Sequence, residues 1–239
     1  MKRLAALILA AAAVLSGCMT GKKAIPDFRN MAVYACDGSE LRVSDVSGEN
    51  KVIACLGENR AESNYKRLCR IYSEDVAFVP ICREPREGSY TCRDGRLSGD
   101  ETALFLTDRE GNVISSFGSS FAGAARELAG MCDTESLRKR VIPLICREYG
   151  IPDGEVLLIV YKPTCRLCRE RLDEIFSRRD QLKDRYFVAV LSTSNDPERA
   201  GLGDASFTDE SEIYLKSLKP ENNIGMYLVK NGEYAGEYK

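Results

Sequence analysis

Cys165-Arg166-Leu167-Cys168 is the only pair of cysteines in this 239-residue chain separated by two residues. Two thiols three positions apart meet if they sit on the first turn of a helix, and the surroundings favour that placement. The apolar run Val156-Leu-Leu-Ile-Val-Tyr161 precedes them as a strand, and Leu167, Leu172, Ile175 and Phe176 follow at helical spacing over Cys165 to Leu182. The bare amides and partial positive charge at a helix start favour a thiolate over a thiol. Lys162, Arg166, Arg169 and Arg171 add positive charge nearby. The chemistry expected is thiol–disulfide exchange, with Cys165 the attacking sulfur and Cys168 the resolving one. Two other readings stand beside it. The pair could be a fixed structural disulfide, or it could bind metal, although a structural zinc site generally needs two such pairs or histidines.

Histidine is absent, which excludes Ser-His-Asp and Cys-His catalysis and imidazole zinc sites within this chain. Lys2 and Arg3 precede an unbroken apolar run from Leu4 to Val14. As a helix these eleven residues rise about 16 Å, too short for a hydrocarbon core of about 30 Å, so the run reads as a signal peptide. The next residues, Leu15-Ser16-Gly17-Cys18, resemble the lipobox of bacterial lipoproteins. That resemblance implies cleavage after residue 17 and acyl chains on Cys18. It places the protein in the bacterial cell envelope, and Met19 at the second mature position favours the outer membrane over the inner one. Two or more acyl chains give stable attachment where one is reversible. An exported compartment is also permissive for disulfides. Cleavage leaves 222 of the 239 residues, with 32 basic and 36 acidic side chains and a net charge of −4. No basic block stands out, so nucleic acid is not an expected partner.

Residues 18–25 read as a lipidated tether, followed by Pro26-Asp27-Phe28. Met31-Ala-Val-Tyr-Ala-Cys36 and Glu40-Leu-Arg-Val-Ser-Asp45 flank Asp37-Gly38, a hairpin signal. Lys51 to Leu56 is a buried-strand candidate, Ala61 to Tyr72 a helix and Val76 to Ile81 a strand. Cys82 to Asp100 reads as an irregular loop. Ala103 to Thr107 and Asn112 to Phe117 form a second hairpin about Asp108-Arg-Glu-Gly111, and Phe121 to Met131 is helical. Asp133 to Tyr149 is expected as a helix broken or kinked at Pro143. From Val156 the pattern repeats: a strand, the CxxC helix, the strand Tyr186 to Leu191, a long mixed segment helical at Glu210 to Leu218, and a hairpin over Gly225 to Tyr238.

Pro-Asp-Phe, the Asp-Gly hairpin, Val43-Ser-Asp45, the Lys51-Val strand and the terminal Asp-x-x-Gly hairpin together resemble the redoxin branch of the thioredoxin superfamily. Residues 151–239 resemble thioredoxin without its final helix. The fold class implied is α/β, with two tandem thioredoxin-like units, each a small mixed sheet flanked by helices. The first, at 26–132, is degenerate and lacks a CxxC; the second, at 133–239, carries it. By that resemblance Thr164 stands where thioredoxins have tryptophan, and Ile224 where they have the substrate-binding cis-proline. Both residues are therefore candidates for the substrate groove. In the first unit Glu62-Ser63-Asn64-Tyr65 and Thr102 fall at the corresponding places, which leaves no peroxidase or exchange cysteine there.

Cys55 and Cys69 read as core residues. Cys82 with Cys92, and Cys132 with Cys146, are candidates for structural disulfides of open connectivity. Asp173 and Glu174 read as a solvated helix face, and Gly201-Leu-Gly203 lacks the lysine of a phosphate loop. No organic cofactor and no metal are expected. The partners implied are exported protein thiols or disulfides, or another envelope protein, besides the membrane itself. The competing function is a non-enzymatic binding module with Cys165–Cys168 as a staple.

Overall fold

The computed structural model describes residues 26–57, 59–84, 87–93, 97, 101–197 and 201–238. The signal-peptide run, Cys18 and the tether lie outside these. Among the described residues no helix is long and apolar enough to cross a membrane.

The fold is mixed α/β, built on two sheets and a small hairpin. The hairpin pairs β1 (Ala32–Tyr34) with β2 (Glu40–Arg42) about Asp37-Gly38, where Gly38 takes the left-handed conformation the turn requires (φ 82°). The first sheet has the order β4 (Ala77–Cys82), β3 (Asn50–Leu56), β5 (Ala103–Asp108), β6 (Val113–Gly118). The second has the order β11 (Glu233–Glu237), β10 (Ile224–Lys230), β7 (Glu155–Tyr161), β8 (Phe187–Ser192), β9 (Ala205–Thr208). In each sheet a parallel pair, β3/β4 or β7/β8, encloses a crossover helix. In each the central strand then pairs antiparallel with the first strand of a terminal hairpin. Strands β4-β3-β5-β6 of the first sheet and β8-β7-β10-β11 of the second thus have the same order, and the second sheet adds β9 at its edge.

Helix α1 (Asn59–Tyr72) crosses from β3 to β4, and α2 (Phe121–Met131) follows β6. Helix α3 (Thr134–Tyr149) leads into the second sheet. It starts with the Asp133 carboxylate accepting the Ser136 N–H at 2.8 Å and ends at Gly150 in the left-handed conformation. It runs on through Pro143 as a single helix. The helix expected over Cys165 to Leu182 is divided into α4 (Arg166–Phe176) and α5 (Arg179–Lys183). Ser177 turns its hydroxyl back onto the Glu174 carbonyl at 2.7 Å, and Arg178 leaves helical geometry (φ −110°, ψ 20°). The mixed segment holds β9, which is absent from the sequence reading, and α6 (Ile213–Leu218). Helix α6 begins later than Glu210 because Glu212 is left-handed (φ 56°).

One hydrophobic cluster joins both sheets. Val52, Ala54, Leu104 and Leu106 from the first sheet, and Val156, Leu158, Val160 and Leu191 from the second, pack with α1, α2, α3 and α6. The boundary expected between residues 132 and 133 falls between α2 and α3, and both helices belong to this shared core. Polar contacts cross it as well. The Tyr72 hydroxyl donates to the Ala125 carbonyl (2.9 Å) and accepts from Ser217 Oγ (2.7 Å). Arg67 on α1 pairs with Glu148 on α3 and with buried Asp209 (3.1 Å). The outer faces close separately. Ile53, Cys55, Val79 and Phe105 pack beneath Phe28, Val33 and Val43. Leu157, Ile159 and Tyr161 pack beneath Leu172, Ile175 and Leu182 of α4 and α5.

Candidate functional site

Strand β7 carries an apolar side chain at every position from Val156 to Tyr161 because both of its faces are covered. At its end the chain turns through Lys162 to Cys165, with the Cys165 N–H donating to the Lys162 carbonyl at 3.1 Å. Cys165 is the N-cap of α4, in extended geometry and partly exposed, and Cys168 in the first turn is fully buried. The helix start expected for the pair is thus where the structure puts it, with both sulfurs as free thiols.

The segment before β10 closes over the pair from the other side. Pro220 is extended, and Asn222 and Asn223 are both left-handed (φ 52° and 57°), a conformation that asparagine tolerates better than most residues. This double turn aims backbone oxygens at the sulfurs. Cys168 Sγ lies 2.9 Å from the Asn222 carbonyl and 3.3 Å from that of Asn223, while Cys165 Sγ is 3.6 Å from the Asn222 carbonyl. The Lys162 N–H donates to the Asn223 carbonyl at 3.1 Å and ties the two segments together. Among the described residues no peptide bond is cis, so Asn223–Ile224 is trans. Sequence reasoning missed the two asparagines. An Asn-Asn pair two residues after a proline was the available sign of a left-handed turn.

The two thiols are driven apart in acidity. The pKa of Cys165 is lowered, first by a hydrogen bond from the Cys168 side chain, then by the Cys168 and Leu167 backbone amides and the Asn223 side chain. Burial, followed by the interaction with Cys165, pushes Cys168 up to about 12. The cations expected to stabilise the thiolate are largely committed elsewhere. Arg166 pairs with Glu170 (2.8 Å), Arg171 with Glu174, and Lys162 with Glu212 (2.6 Å). The lowering of Cys165 therefore comes from hydrogen-bond donors at the helix start.

A groove of about 870 Å³ runs beside the pair, lined by Leu167, Arg171, Pro220, Asn222, Ile224 and Met226 among others. Ile224 is half-buried at the start of β10, opposite Tyr161, and lines this groove. Thr164 is exposed in the turn before Cys165. Leu167 is 58 % exposed, an apolar side chain held in water in the first turn after Cys165.

The remaining cysteines are placed differently. Cys132 and Cys146 lie just before and near the end of the same helix, α3, separated by about 18 Å of helical rise. A disulfide needs Cα atoms within about 7 Å, so this candidate pair is not brought together. Cys82, a free thiol, and Cys92 are near neighbours in backbone, since the Cys82 N–H donates to the Tyr90 carbonyl at 2.8 Å. Burial pushes the Cys55 thiol up to about 12 and those of Cys69, Cys132 and Cys146 up to about 11. On the crossover helix of the first sheet the residue matching Cys168 by helix position is Ala61, the third residue of α1. Glu62 to Tyr65 lie further along α1 than the sequence alignment of the repeats placed them. Among the described residues no three His, Cys, Asp or Glu side chains converge as a metal site. Comparison with protein-family models, with curated proteins and with solved structures returns no match.

Proposed function

We propose that this chain is a lipid-anchored envelope protein with two thioredoxin-like units, the second of which exchanges disulfides with exported proteins. The observation that carries this reading is the asymmetric thiol pair: a partly exposed sulfur with lowered pKa at 165, beside a buried, protonated one at 168. In the reducing direction the Cys165 thiolate attacks one sulfur of a client disulfide. A mixed disulfide forms and the first client thiolate leaves. Cys168 then gives up its proton and attacks Cys165 Sγ, releasing the second client sulfur. The client gains two electrons and the pair becomes a disulfide, which a dithiol partner must reduce again. The same steps reversed oxidise a client dithiol, and the relative potentials of partner and client set the direction.

The test is a trapping experiment. With Cys168→Ser the mixed disulfide cannot resolve, so client proteins accumulate on Cys165 and are released by dithiothreitol. An empty trap in cells, together with a Cys165–Cys168 potential below about −300 mV, the range of inert bridges, would favour the binding-module reading instead. The anchor at Cys18 has its own test: Cys18→Ala leaves an unprocessed precursor, and normal cleavage of that variant contradicts it.

A further inference from the structure

Two backbone carbonyls converge on one buried thiol. Cys168 Sγ stands 2.9 Å from the Asn222 oxygen and 3.3 Å from that of Asn223, and the Asn222 oxygen also lies 3.6 Å from Cys165 Sγ. A carbonyl oxygen only accepts, so the two nearer contacts need the Cys168 proton. The oxygens are held in place by the chain itself. Asn222 and Asn223 are left-handed in succession, the Lys162 N–H donates to the Asn223 carbonyl, and Lys216 Nζ lies 3.4 Å from Asn223 Oδ1. Oxidation to a disulfide removes the Cys168 proton and leaves both carbonyls facing sulfur lone pairs. Cys168 is fully buried, so water cannot take over the lost bonds from its side, and an acceptor deprived of its donor is costly. The turn therefore favours the dithiol over the disulfide.

We propose that these two carbonyls make the pair an oxidant, one that takes electrons from exported dithiols, with Asn222 and Asn223 as the positioning residues that aim them. The inference rests on the exchange reading and gives it a direction. A client thiolate attacks Cys165 Sγ of the disulfide, and Cys168 leaves and takes up a proton. That proton restores the bonds to the two carbonyls. The second client thiolate then attacks the client sulfur of the mixed disulfide and expels Cys165 as a thiolate. The client loses two electrons to the pair, and of its two protons one ends on Cys168 and the other in solvent. A more oxidising disulfide must then reoxidise the pair. The donors at the helix start act in the same sense, because they stabilise the Cys165 thiolate as it leaves.

The experiment brings the full mature chain to equilibrium with glutathione and its disulfide, and reads the dithiol fraction of the pair by mass spectrometry of alkylated peptides. Asn222 is exposed, so its substitution leaves the core untouched. Asn222→Gly keeps the left-handed turn, and its equilibrium is expected within about twofold of the parent's. Asn222→Val disfavours that turn and swings the carbonyls away from the sulfurs. It is expected to shift the pair about tenfold towards the disulfide, about 30 mV in potential. If the valine variant fails to fold, urea unfolding of the parent decides alone. The dithiol form should then be the more stable one, whereas a structural staple would stabilise the disulfide form. Equal equilibria for the glycine and valine variants, or a disulfide form more stable than the dithiol, would overturn the oxidant assignment, and clients trapped by Cys168→Ser would still leave the exchange reading intact. An empty trap would remove exchange itself, whichever way the equilibria fall.

Discussion

The two sheets share a strand order, yet their crossover helices face opposite ways. Helix α1 turns inward, burying Ala61, Tyr65, Leu68, Ile71 and Tyr72 in the core common to both sheets. Helix α4 lies on the outer face of the second sheet and buries Cys168, Leu172 and Ile175, leaving Leu167 and the sulfur of Cys165 within reach of solvent. The same topology thus produces a helix buried in the common core in one half and a helix start with a partly exposed thiol in the other. At matching positions an alanine methyl packs in α1 where a thiol sits in α4. What separates the halves is which face of the sheet the helix covers and what approaches its first turn.

The most severe test of this contrast is Cys165→Ser, which should reduce exchange with a small-molecule disulfide to the background rate and leave the thermal midpoint nearly unchanged. Retained turnover would mean the chemistry lies elsewhere. A paired substitution then compares the helices directly. Leu68→Ala, in the buried face of α1, should cost about 2–5 kcal/mol in urea unfolding, whereas Leu167→Ala on α4 should stay within about 0.5 kcal/mol and instead weaken client capture. Similar losses at both sites would contradict the different roles assigned to the two helices. Arg67→Met leaves the buried Asp209 carboxylate without its cation, although Ser211 Oγ and the Tyr214 N–H still donate to it. A loss of about 3 kcal/mol is expected, with one cooperative transition for the whole chain. Two separate transitions would show that the halves unfold independently.

The smallest effect concerns pH. Burial raises the Glu212 carboxyl, but hydrogen bonds and charge from Lys162 and Lys216 outweigh it, and the group ends below its ordinary value. A carboxylate depressed in the folded state stabilises the fold above the unfolded value, about 4.3. That stability is lost as pH falls through the lower folded value. Stability of the parent should therefore drop more steeply below about pH 4.3 than that of Glu212→Gln. Equal slopes would exclude Glu212 from the acid response.

Much of the second sheet was legible because its signals are local. Val156 to Tyr161 is an apolar run with no polar face, and Cys165 and Cys168 sit where a strand gives way to helical spacing. The shared core was not legible, since the inward side of α1 is chosen by a sheet whose strands lie about a hundred residues further along. Strand β9 escaped because Ala205 to Thr208 is short and only half-buried, and is fixed by pairing with β8. The arginines around the CxxC suggested charge as the source of thiolate stability. Their i,i+4 and i,i+3 partners, Glu170 and Glu174, were visible in the sequence and answer most of that charge. The carbonyls of Asn222 and Asn223 belong to the backbone, and no residue-type pattern announces where a carbonyl will point.

A helical layer common to both sheets also has a cost during synthesis. When residues 26–131 first exist, Val52, Ala54, Leu104, Leu106 and the apolar sides of α1 and α2 have no second sheet to meet. That nascent half must stay wet on one side, or be shielded by another protein, until β7, β8 and β10 are made. The first half of the chain thus comes off the ribosome first and is finished last.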